Sequence, residues 1–329
     1  MALILLLSDS HLDENSNNEY RWDVFSHIHK ILDNYEIRSA WSLGDSWDRK
    51  ERFSASFVNR LIQKLKDIGS RVPFGILRGN HDTPLDGPAF FEFVNGMIPG
   101  VTYVTEPMAL GPLLLLPYAP DPITAWQELR FSDFKAAFLH VTVTGAITEN
   151  GREMTTGQKL PLFPRSIKLY SGDVHVPQQV KNLVYVGAPH VIKFGDMYPC
   201  RMLLLDEDTF EIVEEIPIEA MRKRVVAISS LDELGKLQVR AGDQVRVQFS
   251  LQSGDIERWG EIERGLGEWA EAAGVTVSGT EFVVSESRSL GDVEVDVAPD
   301  TILRQFAAEE GVSDLLLEVG LGLLKESIS

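Results

Sequence analysis

Five hydrophobic runs in the first part of the chain have the length and composition of buried strands, and a short polar segment ends or follows each one. Side chains at the carboxyl ends of parallel strands gather at one edge of an α/β sheet. We therefore expect the five polar segments to converge on one pocket. The runs are Leu3–Leu7, Ala40–Leu43, Val72–Leu77, Ala136–Leu139 and Ile167–Tyr170, and the segments are Asp9–His11, Gly44–Asp48, Gly79–Asp82, His140 and Gly172–His175.

Apolar residues at helical spacing lie between the first runs and predict helices near Trp22–Leu32, Phe53–Gly69 and Gly87–Asn95, the last with Phe90, Phe91 and Val94 facing inward. Strands that alternate with helices predict an α/β fold with a mainly parallel sheet. From Val101 onward, short β runs punctuated by Gly and Pro predict a second sheet packed against the first. These runs are 101–105, 113–118, 134–140, 167–170, 183–186, 202–206 and 211–216.

The pattern changes after a polar, basic stretch at Pro217–Arg224. A strand at 244–252, a helix at Ile256–Ala273 and a strand at Val275–Ser285 predict a small α/β unit of domain size. Two amphipathic helices are expected at Thr301–Glu309 and Ser313–Lys325. We predict three parts, at residues 1–220, 225–298 and 299–329.

Charge leaves the substrate class open. The net charge is −18, of which residues 225–329 carry −12, with 8 Lys and Arg against 20 Asp and Glu. Basic residues in or near the polar segments predict either a positive rim or an ordinary mixed surface, with equal weight. They are Arg21, Arg49, Lys50, Arg52, Arg78 and Arg165.

The remaining composition predicts a cytoplasmic protein. A single cysteine, Cys200, excludes an internal disulfide and suits a reducing compartment. The run Met1–Leu7 lacks the basic start and cleavage site of a signal peptide, and no apolar stretch is long enough to span a membrane.

The polar segments supply Asp, His and Asn side chains suited to two adjacent divalent ions. Such a pair clamps a phosphodiester, supplies a hydroxide nucleophile and neutralises charge on the attacking and leaving oxygens. Mixed oxygen and imidazole ligands favour manganese, iron or zinc over magnesium. Asp45 is the natural bridging carboxylate, because Gly44 lets the backbone turn tightly before it. A lone histidine is more often structural, and His27 and His29 on the first predicted helix are assigned no role.

The ordered motifs D-x-H, G-D-x-x-D, G-N-H-D, H and G-x-x-H resemble the signature of the calcineurin-like metallophosphoesterases over residues 1–216. Within them, the chain resembles the compact, phage-like members of the SbcD family of double-strand-break-repair nucleases. Leu116–Pro120, Val176–Gln178 and Tyr185–Pro189 resemble that family's later segments. The resemblance implies a metallophosphoesterase two-sheet sandwich flanked by helices, an α/β capping domain and C-terminal helices that bind an ATPase.

The resemblance also implies a role for each matching residue. Asp9, His11, Asp45 and His175 would hold one metal, and Asp45, Asn80, His140 and Asp173 the other. His81 would protonate the leaving oxygen or steady the transition state, and Asp48 and Asp82 would orient ligands. The implied activities are 3′→5′ exonuclease and single-strand endonuclease on DNA, in partnership with an SbcC-like ATPase. A homodimer through Trp22–Leu32 and residence in the cytoplasm, of the host if phage-encoded, would accompany them.

Asp173 departs from the family pattern, which has histidine at that position. A carboxylate makes the second site harder and more negative, which shifts the expected ions to Mn²⁺, with Mg²⁺ as the alternative. Two other functions stay open: a small-molecule phosphodiesterase or phosphatase, and a scaffold whose second metal site is inert. Trp47 is equally suited to stacking on a base and to packing.

Overall fold

The computed structural model describes residues 2–84, 88–159, 163–251, 258–284, 303–304, 306–308, 312–313 and 316–321. It divides into two compact units, residues 1–224 with 242–244 and residues 225–241 with 245–329. Among the described residues, no helix has the length and apolar character needed to cross a membrane.

The first unit contains twelve strands and three α-helices among its described residues. The strands are β1 (Leu3–Leu7), β2 (Ile37–Ser42), β3 (Phe74–Leu77), β4 (Val101–Val104), β5 (Met108–Leu110), β6 (Leu113–Leu116), β7 (Ala136–His140), β8 (Lys168–Gly172), β9 (Gln178–Val180), β10 (Leu183–Tyr185), β11 (Arg201–Asp206) and β12 (Ile212–Pro217). The helices are α1 (Asp23–Asn34), α2 (Ala55–Gly69) and α3 (Pro122–Ala125), with 3-10 helices at Ser16–Trp22, Phe90–Val94 and Phe131–Asp133.

The strands form two six-stranded sheets, in the orders β12-β11-β1-β2-β3-β4 and β5-β6-β7-β8-β10-β9. In the first, β1 to β4 are parallel and β11 and β12 are antiparallel additions. In the second, β6, β7, β8 and β10 are parallel, and β5 and β9 close the edges in antiparallel pairing. The predicted α/β fold with two sheets and flanking helices is confirmed.

The sheets pack face to face, and the alternation of side chains along each strand explains why. In β1, Ile4 and Leu6 point towards the second sheet and share a buried cluster with Phe138 and Tyr170. Leu5, between them, points the other way and packs with the apolar faces of α1 and α2. Because both faces of β1 are covered, its sequence is continuously apolar.

The third predicted helix is wrong in type and extent. The structure has only the 3-10 helix Phe90–Val94, bracketed by Pro88 and Gly96, and Gly87 lies outside the described residues. Phe91 and Val94 are buried as predicted, whereas Phe90 is exposed. The short edge strands β5 and β9 were not predicted, because three residues are too few to show a period.

The second unit is built on a three-stranded sheet with the order β13-β14-β15. Its elements are β13 (Lys223–Ile228), a 3-10 helix (Leu231–Lys236), β14 (Gln244–Leu251), α4 (Trp259–Ala273) and β15 (Thr276–Val284). Val245, Val247 and Phe249 of β14 pack on Ile262 and Leu266 of α4. Of the predicted C-terminal helices, 303–304, 306–308 and 316–321 are helical, and most other residues from 285 onward lie outside the described part.

Candidate metal centre

The predicted site residues occupy the loops at the carboxyl ends of β1, β2, β3 and β8 and the last residue of β7. The first two loops prolong the parallel pairing of their strands, since the amides of Asp9 and His11 donate to the carbonyls of Gly44 and Asp45 at 3.0 and 2.9 Å. Asp9, His11, Asp45 and Asp173 have φ of 54°, 42°, 50° and 80°, in the left-handed region that L-residues seldom adopt. Such strain clusters at functional sites.

One group of candidate ligands comprises Asp9, His11 and His175, all buried. The Nε2 atoms of the two histidines face each other at 3.1 Å. Nδ1 of His11 lies 3.1 Å from a carboxylate oxygen of Asp48, which can only accept, so Nδ1 carries the proton and Nε2 the lone pair. Two ligand nitrogens each about 2.1 Å from one ion are about 3 Å apart when their bonds are perpendicular. The imidazole spacing therefore fits a shared cation.

Asp45 lies between this group and a second one. Its Oδ2 is 3.7 Å from Nε2 of His11, and its Oδ1 is 3.4 Å from Nε2 of His140. Its Oδ1 also accepts from the amide of His81 at 2.9 Å. Each oxygen of Asp45 therefore faces a different histidine, which is the placement that a bridging carboxylate requires.

The second group contains His140, Asn80 and Asp173 beside Asp45. Nδ1 of His140 donates to the carbonyl oxygen of Leu43 at 2.6 Å, which leaves the lone pair on Nε2. That Nε2 lies 2.9 Å from Oδ1 of Asn80 and 3.6 Å from Oδ1 of Asp173. The other oxygen of Asp173 accepts a hydrogen bond from the hydroxyl of Thr142. Asp173 thus points one oxygen towards the group in spite of its short side chain.

Several polar atoms in the centre lack the partners that buried groups normally have. Oδ2 of Asp9 is fully buried and has no hydrogen-bond partner. Oδ1 of Asn80 faces only acceptors, the carboxylate oxygens of Asp45 and Asp173 at 3.1 to 3.2 Å and Nε2 of His140 at 2.9 Å; rotating the amide would turn its NH₂ towards them. A cation in this position would satisfy all of them, so the residues present fit a metal.

The electrostatics of the centre lead to the same conclusion. Burial alone would lower the pKa of His140, yet the carboxylates of Asp45, Asp173 and Asp9 raise it well above its usual value. The pKa of His175 is also raised against the effect of burial, by Glu149 and then by Asp9. The pKa of Asp173 is raised, chiefly by burial. The centre is therefore a buried region of negative potential in which positive charge is favoured.

His81 lies at the edge of this centre with 41% of its side chain exposed. Its ring packs edge-on against the ring of His11, with centroids 4.7 Å apart. Its Nδ1 is 3.4 Å from the carbonyl oxygen and 3.6 Å from Oδ1 of Asp48. Asp48 thus contacts a candidate ligand and the predicted acid together. His81 also lies close enough to His11 and Asp45 to belong to a metal-sized group.

Asp82 is fully buried and lies behind the ligands. Its oxygens accept from the amides of Gly79 at 2.8 Å and Trp47 at 3.4 Å, which ties two ligand loops together. Burial, reinforced by the nearby charge of Asp45, raises its pKa to about 8. Trp47 is buried against Phe91, with ring centroids 4.3 Å apart. Trp47 is therefore a packing residue, and the base-stacking alternative is wrong.

Four residues that support the centre were not assigned these roles from the sequence. Glu149 contacts Nδ1 of His175, and Thr142 holds Asp173. Buried His190 donates from Nε2 to the carbonyl oxygen of Ser10 at 2.7 Å. Ser10 is the residue between the candidate ligands Asp9 and His11 in the chain. Arg21, predicted for a positive rim, is buried and donates to the carbonyl oxygen of His11 at 2.5 Å. Thr142 follows His140 by two residues, whereas Glu149 and His190 lie outside the motifs.

The comparisons with known proteins found likenesses among solved structures and in neither of the other two searches. No protein-family model matches the chain, and no curated protein matches it. Among solved structures, the crystal structure of Pseudomonas putida nuclease MPE matches with a TM-score of 0.32 and 14% sequence identity, covering 65% of this chain and 72% of that one.

Proposed function

We propose that this chain is a two-metal phosphodiesterase of the calcineurin-like metallophosphoesterase type. The observation that carries the proposal is the arrangement around Asp45, whose two oxygens face Nε2 of His11 on one side and Nε2 of His140 on the other. His175 adds a lone pair on the first side, and Asn80 and Asp173 add oxygens on the second. Two divalent ions held there would activate water and neutralise the charge of a phosphodiester.

In this proposal the protein's own groups divide the work by position. The buried residues Asp9, His11, Asp45, His140 and His175 hold the ions and exclude bulk water from them. His81, half exposed at the edge, is the group with access to the leaving oxygen and donates a proton to it. Asp48 fixes the rings of both His11 and His81 by their Nδ1 atoms.

We further propose DNA as the substrate and an SbcC-like ATPase as the partner, with 3′→5′ exonuclease and single-strand endonuclease activity on DNA. These assignments rest on the resemblance of the motifs and on the small α/β unit that follows the metal centre. We expect Mn²⁺ to be the working ion, with Mg²⁺ as the alternative, because four of the seven candidate ligands, Asp9, Asp45, Asn80 and Asp173, supply carboxylate or amide oxygen. The same resemblance supports a homodimer through the exposed side of α1.

The first experiment is to count metal ions and assay cleavage on one preparation of the full chain. We expect two Mn²⁺ per chain and manganese-dependent cleavage of both bis-p-nitrophenyl phosphate and single-stranded DNA. Cleavage of the small ester without DNA cleavage, even with an ATPase partner present, would favour the small-molecule phosphodiesterase. One ion or none, with no cleavage in millimolar manganese, would favour the scaffold function.

Partner binding needs its own experiment, because it concerns a different part of the chain. Deleting residues from Asp300 onward should leave two Mn²⁺ bound and remove co-purification with the ATPase. Sedimentation of the full chain at two concentrations would measure the dimer. A truncated chain that still co-purifies would show that the segment is structural.

A further inference from the structure

A carboxylate outside every motif lies against one of the candidate ligands. Glu149 is on the loop between β7 and β8, and its Oε1 is 2.7 Å from Nδ1 of His175. Glu149 is half-buried, with 23% of its side chain exposed. A partly buried carboxylate is therefore held at ion-pair distance from the Nδ1 side of a candidate ligand ring.

The loop presents Glu149 through a closed turn. The amide of Gly151 donates to the carbonyl oxygen of Thr148 at 2.9 Å, and the amide of Thr148 donates to the carbonyl oxygen of Arg152 at 2.9 Å. Gly151 has φ of 75°, which lets the chain turn back after Glu149. Glu149 is the second residue of this turn, so its position is set by backbone hydrogen bonds.

A second set of contacts fixes the turn to the sheet. The side chain of Gln178 donates from Nε2 to the carbonyl oxygen of Ile147 and accepts at Oε1 from the amide of Ile147, both at 2.7 Å. Gln178 begins β9, shortly after His175. Two contacts therefore join the segment that carries His175 to the turn that carries Glu149: the pair of hydrogen bonds from Gln178 to Ile147, and the contact of Glu149 with His175 itself.

We propose that Glu149 is a positioning residue that orients His175 for the first metal; the proposal rests on the two-metal function proposed above. A carboxylate can only accept, so its 2.7 Å approach favours the proton of His175 on Nδ1, where a small rotation of either side chain would complete the hydrogen bond, and the Nε2 lone pair then faces Nε2 of His11. The rings of His11 and His140 are held in the same way, by Asp48 and by the carbonyl oxygen of Leu43.

The competing role for Glu149 is a charge interaction with Lys193, which forms no direct ion pair with it. The positive charge of exposed Lys193 also lowers the pKa of Glu149, and Asp196 lies near enough to feel its negative charge. If this were the only role, Lys193→Met would have the same effect as Glu149→Ala. Glu153→Gln is the matched control, because Glu153 lies on the same loop and its side chain is exposed.

The test measures Mn²⁺ binding to the full chain by calorimetry after chelation and desalting. Glu149→Ala should weaken one of the two ions by about 10- to 100-fold and leave the other unchanged. Glu149→Gln should recover most of this loss, since its amide oxygen still accepts from Nδ1. Lys193→Met and Glu153→Gln should bind both ions as the wild type does. Nitrogen NMR of the metal-free wild type, above the pKa of His175, should show Nδ1 protonated.

Two results would overturn the assignment: wild-type affinity for both ions in Glu149→Ala, or an equal loss in Lys193→Met. A His175 tautomer protonated on Nε2 would also overturn the assignment. Because nitrogen NMR measures this on the wild type, the assignment can still be tested if Glu149→Ala does not fold. Wild-type protein that binds no manganese would instead refute the two-metal function itself. The two failures are therefore distinguishable.

Discussion

Replacing Gly44 by alanine tests how the metal centre depends on a glycine in its second loop. Gly44 has φ of 100°, and a Cβ at this position would collide with the imidazole of His140. The left-handed backbone costs an L-residue roughly 1–2 kcal/mol, and overpacking a filled site costs about 1–3 kcal/mol more. Gly44→Ala should therefore lower the free energy of unfolding by about 2–5 kcal/mol.

Gly96 supplies a matched control on the same unit. It has φ of 78°, and a Cβ there would meet no atom within 4 Å. Gly96→Ala should therefore show the backbone cost alone, roughly 1–2 kcal/mol. The difference between the two variants isolates the collision with His140.

Two measurements on each variant decide the matter. Thermal unfolding in EDTA should place the midpoint of Gly44→Ala several degrees below that of Gly96→Ala, at roughly 2–4 °C per kcal/mol for a unit of this size. Calorimetric titration with Mn²⁺ should show one ion weakened in Gly44→Ala, because His140 must move, and both retained in Gly96→Ala. Equal midpoints and equal manganese binding in the two variants would refute the reasoning.

Four further outcomes are expected. His81→Ala should abolish DNA cleavage while leaving both Mn²⁺ bound, because its ring lies at the edge; loss of an ion in calorimetry would make His81 a ligand. Asp173→Ala should release the second Mn²⁺ and spare the first, and metal analysis that still counts two would remove Asp173 from the ligand set. Trp47→Ala should cost about 3–5 kcal/mol in denaturant unfolding, whereas a mild stability change with a raised KM for DNA would restore the stacking role. Manganese at 100 times its Kd should add about 2.7 kcal/mol for each site, and an unfolding midpoint equal to that in EDTA would contradict metal binding.

The candidate site segments could be predicted from the sequence because the signal for each one, the end of an apolar run, is local. A buried parallel strand such as β1 is a continuous apolar run, and the chain becomes polar where the strand leaves the core. The ten residues predicted for the site lie together in the structure. Whether each one ligates a metal stays a prediction that the titrations above address.

The supporting contacts could not be predicted, because the residues that make them are far apart in the chain. Glu149 reaches His175 only because a turn and the side chain of Gln178 place it there. His190 and Ser10 are hydrogen-bonded although 180 residues separate them in the sequence. No periodicity or spacing in the sequence indicates such pairs, because each one depends on how distant parts of the chain pack together.

The surface role predicted for Arg21 is wrong, and of the two roles left open for Trp47 the structure supports packing. Arg21 is buried and binds the carbonyl oxygen of His11, and Trp47 fills the core beside Phe91. Both residues lie on the short segments that connect strands to helices. Such segments carry both candidate ligands and packing residues, and composition does not distinguish the two.

The backbone strain of the metal centre favours the metal-bound state of the protein over the metal-free state. Four of the six described non-glycine residues with positive φ are candidate ligands, at roughly 1–3 kcal/mol each. Hydrogen bonds between the first two loops and the packed strands beneath them hold these conformations in place. The strain gains nothing for a metal-free protein, in which it only brings several carboxylates together in a buried region. Cations held by these side chains would offset the strain, so metal binding should stabilise the loops that carry it against unfolding.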